Sequence, residues 1–500
     1  MFEKFIEYLT KFDAFLNGIV WGWPMIILIL GTGLLLTIMT KVLQLRKFGD
    51  SLNSTIVPTI KSIGKKGGKG KKGVSQFEAF SAAISGTVGT GNIIGVTSAI
   101  MTGGPGAVFW MWLSAFFGMV TNYSENVLGL YYRKRDENGE FSGGSFYYIA
   151  NGVGWKWLGY ISAIFCTLAA IGMSGVQTNK ITSTITNAVS NDTMAFKIAL
   201  GLIVAILTAF IIIGGIKRIG RVASMLVPVM SLLFVVLSLI IIGVNYSRIP
   251  AAFGLIFGSI GSFKAAVGGF GGYVFAQIIK KGMARGVFSN EAGLGSSVIA
   301  HSASETREPV KQGLWGIFEV FFDTFIICTL TALVILTNFT PDYLYKAETL
   351  EAGDTATAML AFSQHFGAFG QICFCVILPL FAFTTILAWS YYGEKAVDFL
   401  FGWTKGNGRK TAVLIFKIIY VVLIVGSAVI TSGLVWSISD TCNGLMALPN
   451  LVALIILSPK LAKITSNYYA RKKGAKIEPM LSAYPEQNEQ FKVDIQNGID

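Results

Sequence analysis

Two short stretches of this 500-residue chain interrupt long apolar runs with glycine, hydroxyl and amide residues: GTVGTGN at 86–92 and FSNEAGLGSSVIAHSA at 288–303. A helix that unwinds at such a place frees N–H groups on one side of the break and carbonyls on the other. The amides at a half-helix N-terminus receive an anion, and the carbonyls at the opposite half's C-terminus accept from an ammonium. One break can therefore hold both ends of a zwitterion. Glycine makes unwinding cheap, since it reaches dihedrals that other residues avoid. The same glycines also suit close helix packing, so GTVGTGN alone decides nothing. The second stretch, with Asn290, Gly293, Gly295, Ser296 and Ser297, tips the balance toward a pair of broken helices.

Five carboxylates, Glu125, Glu291, Glu319, Asp323 and Asp440, also fall within apolar segments, where charge is costly and usually functional. Glu319 and Asp323, at i and i+4, share a helix face. Glu291 lies near Arg285 in sequence and either pairs with it or steadies the unwound backbone. His301 suits an interhelical hydrogen bond better than a proton relay. The chain has no HExxH zinc pair and no plausible Ser-His or paired-Asp constellation, which argues against an enzyme.

The elements that position these residues are membrane helices. Hydrophobic residues make up 53% of the chain and charged ones 13%, and apolar runs of about 20 residues, the length of a spanning helix, recur from end to end. Spans are predicted near 24–45, 76–101, 106–131, 155–180, 196–216, 222–245, 283–303, 313–337, 368–392, 411–430 and 433–458. The interrupted spans are the second and the seventh of these eleven. Two broken spans five apart point to an inverted-repeat transporter whose substrate sits between them near the midplane. The transmembrane domain then covers 23–458, with repeat one at about 75–246, repeat two at about 265–458 and one extra helix in front. Residues 1–22 carry Phe2, Phe5, Ile6, Leu9, Phe12, Leu16 and Ile19 at helical spacing, which suits an interfacial amphipathic helix rather than a cleaved signal. Residues 459–500 read as a cytoplasmic tail, loosely ordered at its end. The five cysteines all fall in predicted spans, as small apolar fillers.

A net charge of +13 would suit nucleic acid, but its placement reports topology instead. Arg46, Lys47, Lys61 and the glycine-lysine run 64–73 fill one loop, Arg133–Arg135 the next, then Lys217, Arg218 and Arg221, with Lys460–Lys476 after the last span. The loop 338–354 instead holds Asp342, Glu348, Glu351 and Asp354. Lysine and arginine face the cytoplasm, so the N-terminus is expected outside and the C-terminus inside. Arg248, Lys264, Lys280, Lys281 and Arg285 fall on the outer side and are expected to line an outer helix before the seventh span. The run GKKGGKGKKG has no following Gly-Lys-Ser/Thr and no preceding strand, so it is a flexible basic linker rather than a phosphate-binding loop.

GGPGAVFWMWLSAFFG (103–118), GTVGTGN (86–92), ARGVFSNEAGLGSSVIAHSAS (284–304) and ILPLFAFTTILAWSYYGE (377–394) closely resemble the alanine or glycine:cation symporters, also called sodium:alanine symporters, and the resemblance runs from about 24 to 458. It implies an all-α integral membrane protein with a five-plus-five inverted repeat of the leucine-transporter-like, amino acid-polyamine-organocation type. It further implies uptake of a small neutral amino acid, alanine or glycine, driven by sodium through alternating access in the cell membrane. Sodium is then co-transported cargo, no organic cofactor is needed, and the partners are the substrate and the lipid bilayer, not nucleic acid. The oligomeric state is open.

On that fold the amides of Thr90 and Gly91, with the Asn92 side chain nearby, receive the substrate carboxylate. Carbonyls around Thr87 and near Phe288 and Ser289 accept from the ammonium, with Asn290 beside them. Gln177 faces either the substrate or a neighbouring helix, and Phe288 and Trp389 are candidate walls that keep the pocket small. Similarity to sodium-coupled relatives puts one ion between the second and ninth spans, with Thr384 and Thr385 as hydroxyl ligands. The same alignment suggests the carbonyls of Ser85, Val88 and Phe381. Proton coupling through a buried carboxylate, or a channel or sensor on the same scaffold, are the alternatives.

Overall fold

A capping box starts the first interrupted helix. Ser75 Oγ accepts from the Glu78 amide at 3.1 Å, and Glu78 Oε2 accepts from the Ser75 amide at 2.9 Å, which satisfies two N–H groups that the first turn leaves without partners. The structure is a computed structural model that describes residues 2–62, 74–135, 139–260, 271–404, 407–430 and 432–498. The basic run 64–73, Lys264 and the side chains of Phe2, Phe5, Ile6 and Leu9 lie outside the described residues.

The chain begins with α1 (Phe2–Val20) and α2 (Trp23–Met39), bent by 40° at their junction. Next come α3 (Phe48–Ser62), α4 (Gln76–Thr87), a π-helical turn at Gly91–Gly95 and α5 (Val96–Gly103). Helix α6 (Ala107–Tyr132) leads to a two-stranded hairpin, β1 (Lys134–Arg135) with β2 (Phe141–Ser142). The long helices α7 (Lys156–Val189), α8 (Met194–Ile212) and α9 (Gly215–Val244) follow. The second interrupted segment consists of α10 (Gly271–Asn290) and α11 (Ser297–His301). One continuous rod then holds α12 (Pro309–Val320), a π-helical stretch at Phe321–Cys328 and α13 (Thr329–Asn338). Last come α14 (Ala347–Ser363), α15 (Ala368–Leu400), α16 (Gly408–Ser427), α17 (Ser432–Lys472) and α18 (Pro485–Gln496).

Among the described residues seven helices are long and apolar enough to cross a membrane, or nine if each bent pair counts as one span; the bent pairs are α1 with α2 and α4 with the segment Gly91–Gly103. The stretches expected as spans at 106–131 and 283–303 are helical, as α6 and the α10–α11 pair, but both are rich in polar residues and neither is among those nine. Apolar side chains such as Ile206, Phe210, Leu232, Val236 and Val422 are exposed along α8, α9 and α16, as expected of helices with lipid as a neighbour. Helix α7 is packed between α15 and α17, and α6 lies against α10 and α12. At one crossing Gly393 faces the Phe416 ring, where a Cβ would sit only 2.2 Å from a ring carbon.

Three expectations need correction. The seventh span begins well before 283: Lys280, Lys281 and Arg285 are part of α10 itself, the first half of the broken helix, rather than of a separate outer helix. Arg248 ends a short 3-10 turn and donates to the carbonyls of Thr337 and Asn338. Part of the expected loop 46–74 is α3, whose Ser51 hydroxyl donates to the Leu314 carbonyl at 2.7 Å. The tail is not loose at its end either: α18 buries Phe491 against Leu481 and Phe141, and Arg307 Nε donates to Asp494 at 2.7 Å. Burial pushes the Asp494 carboxyl up, but hydrogen bonds from Gln490 and Arg307 outweigh it and hold it below the usual range. That pair is therefore charged at neutral pH.

Candidate functional site

The first break opens where α4 stops at Thr87. Two amides past the helix end turn to side chains: the Gly89 N–H donates to Asn92 Oδ1 at 2.8 Å and the Thr90 N–H to Gln177 Oε1 at 3.2 Å. The Thr90 hydroxyl is buried and has no hydrogen-bond partner among the described residues. The Asn92 amide nitrogen donates to Asp323, whose carboxylate also accepts from Ser289 Oγ at 2.9 Å and Thr324 Oγ1 at 2.8 Å. Asp323 thus joins the first break to the end of α10. Phe288 lies over Gly91, where an added Cβ would meet its ring at 3.2 Å. On its other side Phe288 packs on Trp436, with ring centroids 4.7 Å apart. Thr90, Asn92, Gln177, Phe288 and Ser289 are therefore brought together around the break, with Gly91 at its centre. Thr87 is held by its own helix, donating to the Ile84 carbonyl.

The second break is built differently. The backbone turns left-handed at Glu291 (φ 56°), Gly293 (φ 91°) and Gly295 (φ 73°), a conformation that costs a non-glycine residue energy unless its surroundings hold it. Glu125 Oε1 accepts from the amides of Gly293 at 3.1 Å and Gly295 at 3.0 Å, and from the Asn450 side chain. Asn450 also donates to the Gly293 carbonyl at 2.9 Å and accepts from the Tyr148 hydroxyl. Glu291 accepts from Ser296 Oγ at 2.6 Å and from Trp389 Nε1 at 2.8 Å. Asn290 donates to Thr324 and accepts from the Ala292 amide, so it stitches its own break. Trp389, expected as a pocket wall, has its indole N–H on Glu291.

Arg285 pairs in two-pronged fashion with Asp440, at 2.7 and 3.1 Å, not with Glu291, because α17 brings Asp440 alongside α10 while Glu291 turns toward α15. His301 bonds Glu319 through Nε2 and Gln312 through Nδ1, both at 2.7 Å. It serves as a bridge between α11 and α12.

Of the expected sodium ligands, Thr385 Oγ1 donates to the carbonyls of Ser85 and Phe381, each at 3.0 Å, and touches the first break. A Cβ on Gly89 would fall 2.5 Å from that hydroxyl. Thr384 turns elsewhere, donating to the Phe381 and Leu380 carbonyls beside Met230 Sδ. Among the described residues no hydrogen bond joins Val88 to α15. Sequence reasoning missed Asn450, Tyr148, Gln312 and Lys180, the last buried on α7 and paired with Asp354 at 2.7 Å. Asn450 is a polar side chain in an apolar run, which is a signal; Tyr148, Gln312 and Lys180 lie at or beyond the ends of the expected spans, where the sequence offers none.

Two broken helices thus meet in a bundle of membrane-length helices, and their meeting point is lined with amides, hydroxyls and carbonyls. The structure of MhsT in complex with L-phenylalanine shares the fold, with a TM-score of 0.54 at 14% identity over 79% of this chain and 99% of that one. It is a leucine-transporter-type fold. The model of the sodium:alanine symporter family matches residues 6–482, and the chain belongs to that family. The sodium/alanine symporter AgcS of Methanococcus maripaludis is 38% identical over 447 residues, 88% of this chain and 93% of its own. The amino-acid carrier protein AlsT of Bacillus subtilis is 36% identical over 483 residues, 96% of each. The chain is therefore a multi-pass membrane protein of an amino-acid transporter family, and not an enzyme.

Proposed function

We propose that this protein is a secondary symporter that carries a small neutral amino acid, alanine or glycine, into the cell together with sodium. The observation that carries this reading is the chemistry of the first break: among the described residues, two backbone amides are bonded only to neutral side-chain oxygens, next to a buried threonine hydroxyl with no partner. A substrate carboxylate brings full negative charge to the amides of Thr90 and Gly91 and displaces the Gln177 oxygen from Thr90, since charge-assisted hydrogen bonds are the stronger kind. The ammonium lies toward the carbonyls near Thr87, Phe288 and Ser289, with the Asp323 carboxylate behind them. Phe288, whose ring packs against Gly91, is the wall that favours a small side chain in this reading.

Sodium, a hard cation, lies where Thr385 meets the carbonyls of Ser85 and Phe381, with Val88 and Thr384 completing the shell after small rotations. Filling this site ties α15 to the first break and favours closure over the substrate, so the two bind better together than apart. An inside-negative potential adds roughly 2.3 kcal/mol per charge at about 100 mV. The architecture that fits is eleven spans, one leading helix followed by two inverted sets of five, with the N-terminus outside and the C-terminus inside.

A second reading is favoured by one observation. Asp323 is fully buried and has no cation beside it among the described residues, so a proton is an alternative coupling ion. Radiolabelled alanine uptake into proteoliposomes, under an inward sodium gradient, an inward proton gradient or neither, separates the two. Accumulation that needs sodium and is competed by glycine supports the first reading. Proton-driven accumulation supports the second, and binding without accumulation overturns both.

A further inference from the structure

The segment 302–308, which links α11 to α12, is gripped from three directions. From α6, the buried Arg133 guanidinium donates to the carbonyls of Ser302 at 3.0 Å and of Ser304 and Thr306. From the start of the first interrupted helix, Val74 forms a parallel bridge with Ser304, and its carbonyl accepts from the Glu305 amide at 2.9 Å. From the tail, Asp494 accepts from Arg307, and Arg471, at the end of α17, reaches Glu308 at 2.7 Å. The tail is also tied to α6: the Ala483 amide donates to the Tyr131 carbonyl at 2.8 Å, and the Tyr484 hydroxyl to the Tyr132 carbonyl at 3.2 Å. The two ring systems of the tail contact complete it, with the Arg133 guanidinium 3.7 Å from the Phe141 centroid and Phe491 packed edge-on to Phe141 at 5.8 Å.

These contacts share one end of the molecule, where the inner halves of both broken helices finish. Separating α4 from α11 there means breaking the Val74–Ser304 bridge and moving 302–308, and 302–308 cannot move while Arg307 is held by Asp494. We propose that residues 478–496 are a built-in latch on this gate, and that opening of the tail-side end requires α18 to let go. The latch rests on the alternating-access reading for its purpose, though not for its detection. An ion pair, a small apolar contact and a few backbone hydrogen bonds suit a catch that must release, because none of them belongs to the continuous core of the membrane bundle.

The test uses the full chain in nanodiscs carrying Ser304→Cys, a fully buried position under the latch, labelled with a membrane-impermeant maleimide and compared with the protein lacking that substitution. Asp494→Arg and Phe491→Asp are each expected to raise the labelling rate about tenfold, Asp494→Asn somewhat less, because local opening sets access to a protected group. The exchange Arg307→Asp with Asp494→Arg is expected to return labelling to within about twofold of the starting rate, since it restores an opposite-charge pair. Unchanged labelling in Asp494→Asn and Phe491→Asp, in protein that elutes as a single species with an unaltered melting temperature, overturns the latch. Repeating the labelling with sodium and alanine separates the two proposals. A labelling rate that follows the latch variants but ignores sodium and alanine would leave the latch standing and count against the transport cycle.

Discussion

The two breaks differ in backbone and in electrostatics: the first runs into a π-helical turn at Gly91–Gly95, while the second turns left-handed at Glu291, Gly293 and Gly295. In the first, the unpaired amides of Gly89 and Thr90 rest on the neutral oxygens of Asn92 and Gln177. In the second, the amides of Gly293 and Gly295 share one carboxylate oxygen of Glu125, and Glu291 is fixed by Ser296 and Trp389. The protein has thus supplied its own anion to the second break. The first break keeps weaker, exchangeable partners, which is what a site for an incoming carboxylate requires. The two breaks are thus held by different chemistry: a carboxylate fixes the second, and neutral amide oxygens hold the first, which on the proposed function is the one left open to a substrate.

That contrast can be attacked directly. Glu125→Ala leaves the buried amides of Gly293 and Gly295 without their acceptor, at roughly 1–3 kcal/mol each, and a marked drop in melting temperature is expected, with Glu125→Gln recovering part of it. An unchanged melt would mean the carboxylate is not what holds the second break. Gln177→Glu makes the first break resemble the second; alanine binding by calorimetry is expected to weaken by at least about tenfold, the cost of displacing a charge-assisted bond, while the melting temperature holds or rises. Normal alanine affinity in that variant would remove Thr90 from the carboxylate site. For Gly91→Val, the clash with Phe288 costs roughly 1–3 kcal/mol, and uptake is expected to fall by about tenfold or more in protein that still folds. The smallest effect is the sharpest test of the ion. Thr385→Ala is expected to raise the sodium concentration for half-maximal uptake several-fold, about the worth of one hydroxyl ligand, and Thr384→Ala less, because Thr384 faces Met230. Equal effects would place both hydroxyls on the ion.

Much of this was legible in the sequence because breaks in membrane helices advertise themselves. Glycines and amides in an apolar run located both interruptions, and the meeting of Thr90, Asn92, Gln177, Phe288 and Ser289 follows once two broken helices face each other. What could not be read was which partner a buried charge would choose. Arg285 lies near Glu291 in sequence, yet takes Asp440 from α17, more than 150 residues away, because a helix break rotates Glu291 toward α15. The hydrogen bonds of Trp389 to Glu291 and of Asn290 to Thr324 are illegible for the same reason: such neighbours are set by helix rotation, which composition does not encode. The docked tail was missed because its apolar residues, Leu481 and Phe491, are too few to stand out in a polar segment.

Helix α17 has a further consequence for anyone who wants to look at this protein. Its 41 residues span about 60 Å at 1.5 Å per residue, twice the roughly 30 Å of hydrocarbon in a bilayer. Its last turns therefore reach past the hydrocarbon while still packed on the bundle, with Leu461, Ile464 and Thr465 buried and Arg471 on Glu308, and the chain beyond it folds back along the same helix, with Asn467 receiving the Met480 amide and donating to the Glu478 carbonyl. A helix end braced in this way is a natural handle: a rigid fusion at its tip would give a small, otherwise featureless membrane particle a shape that an electron micrograph can align.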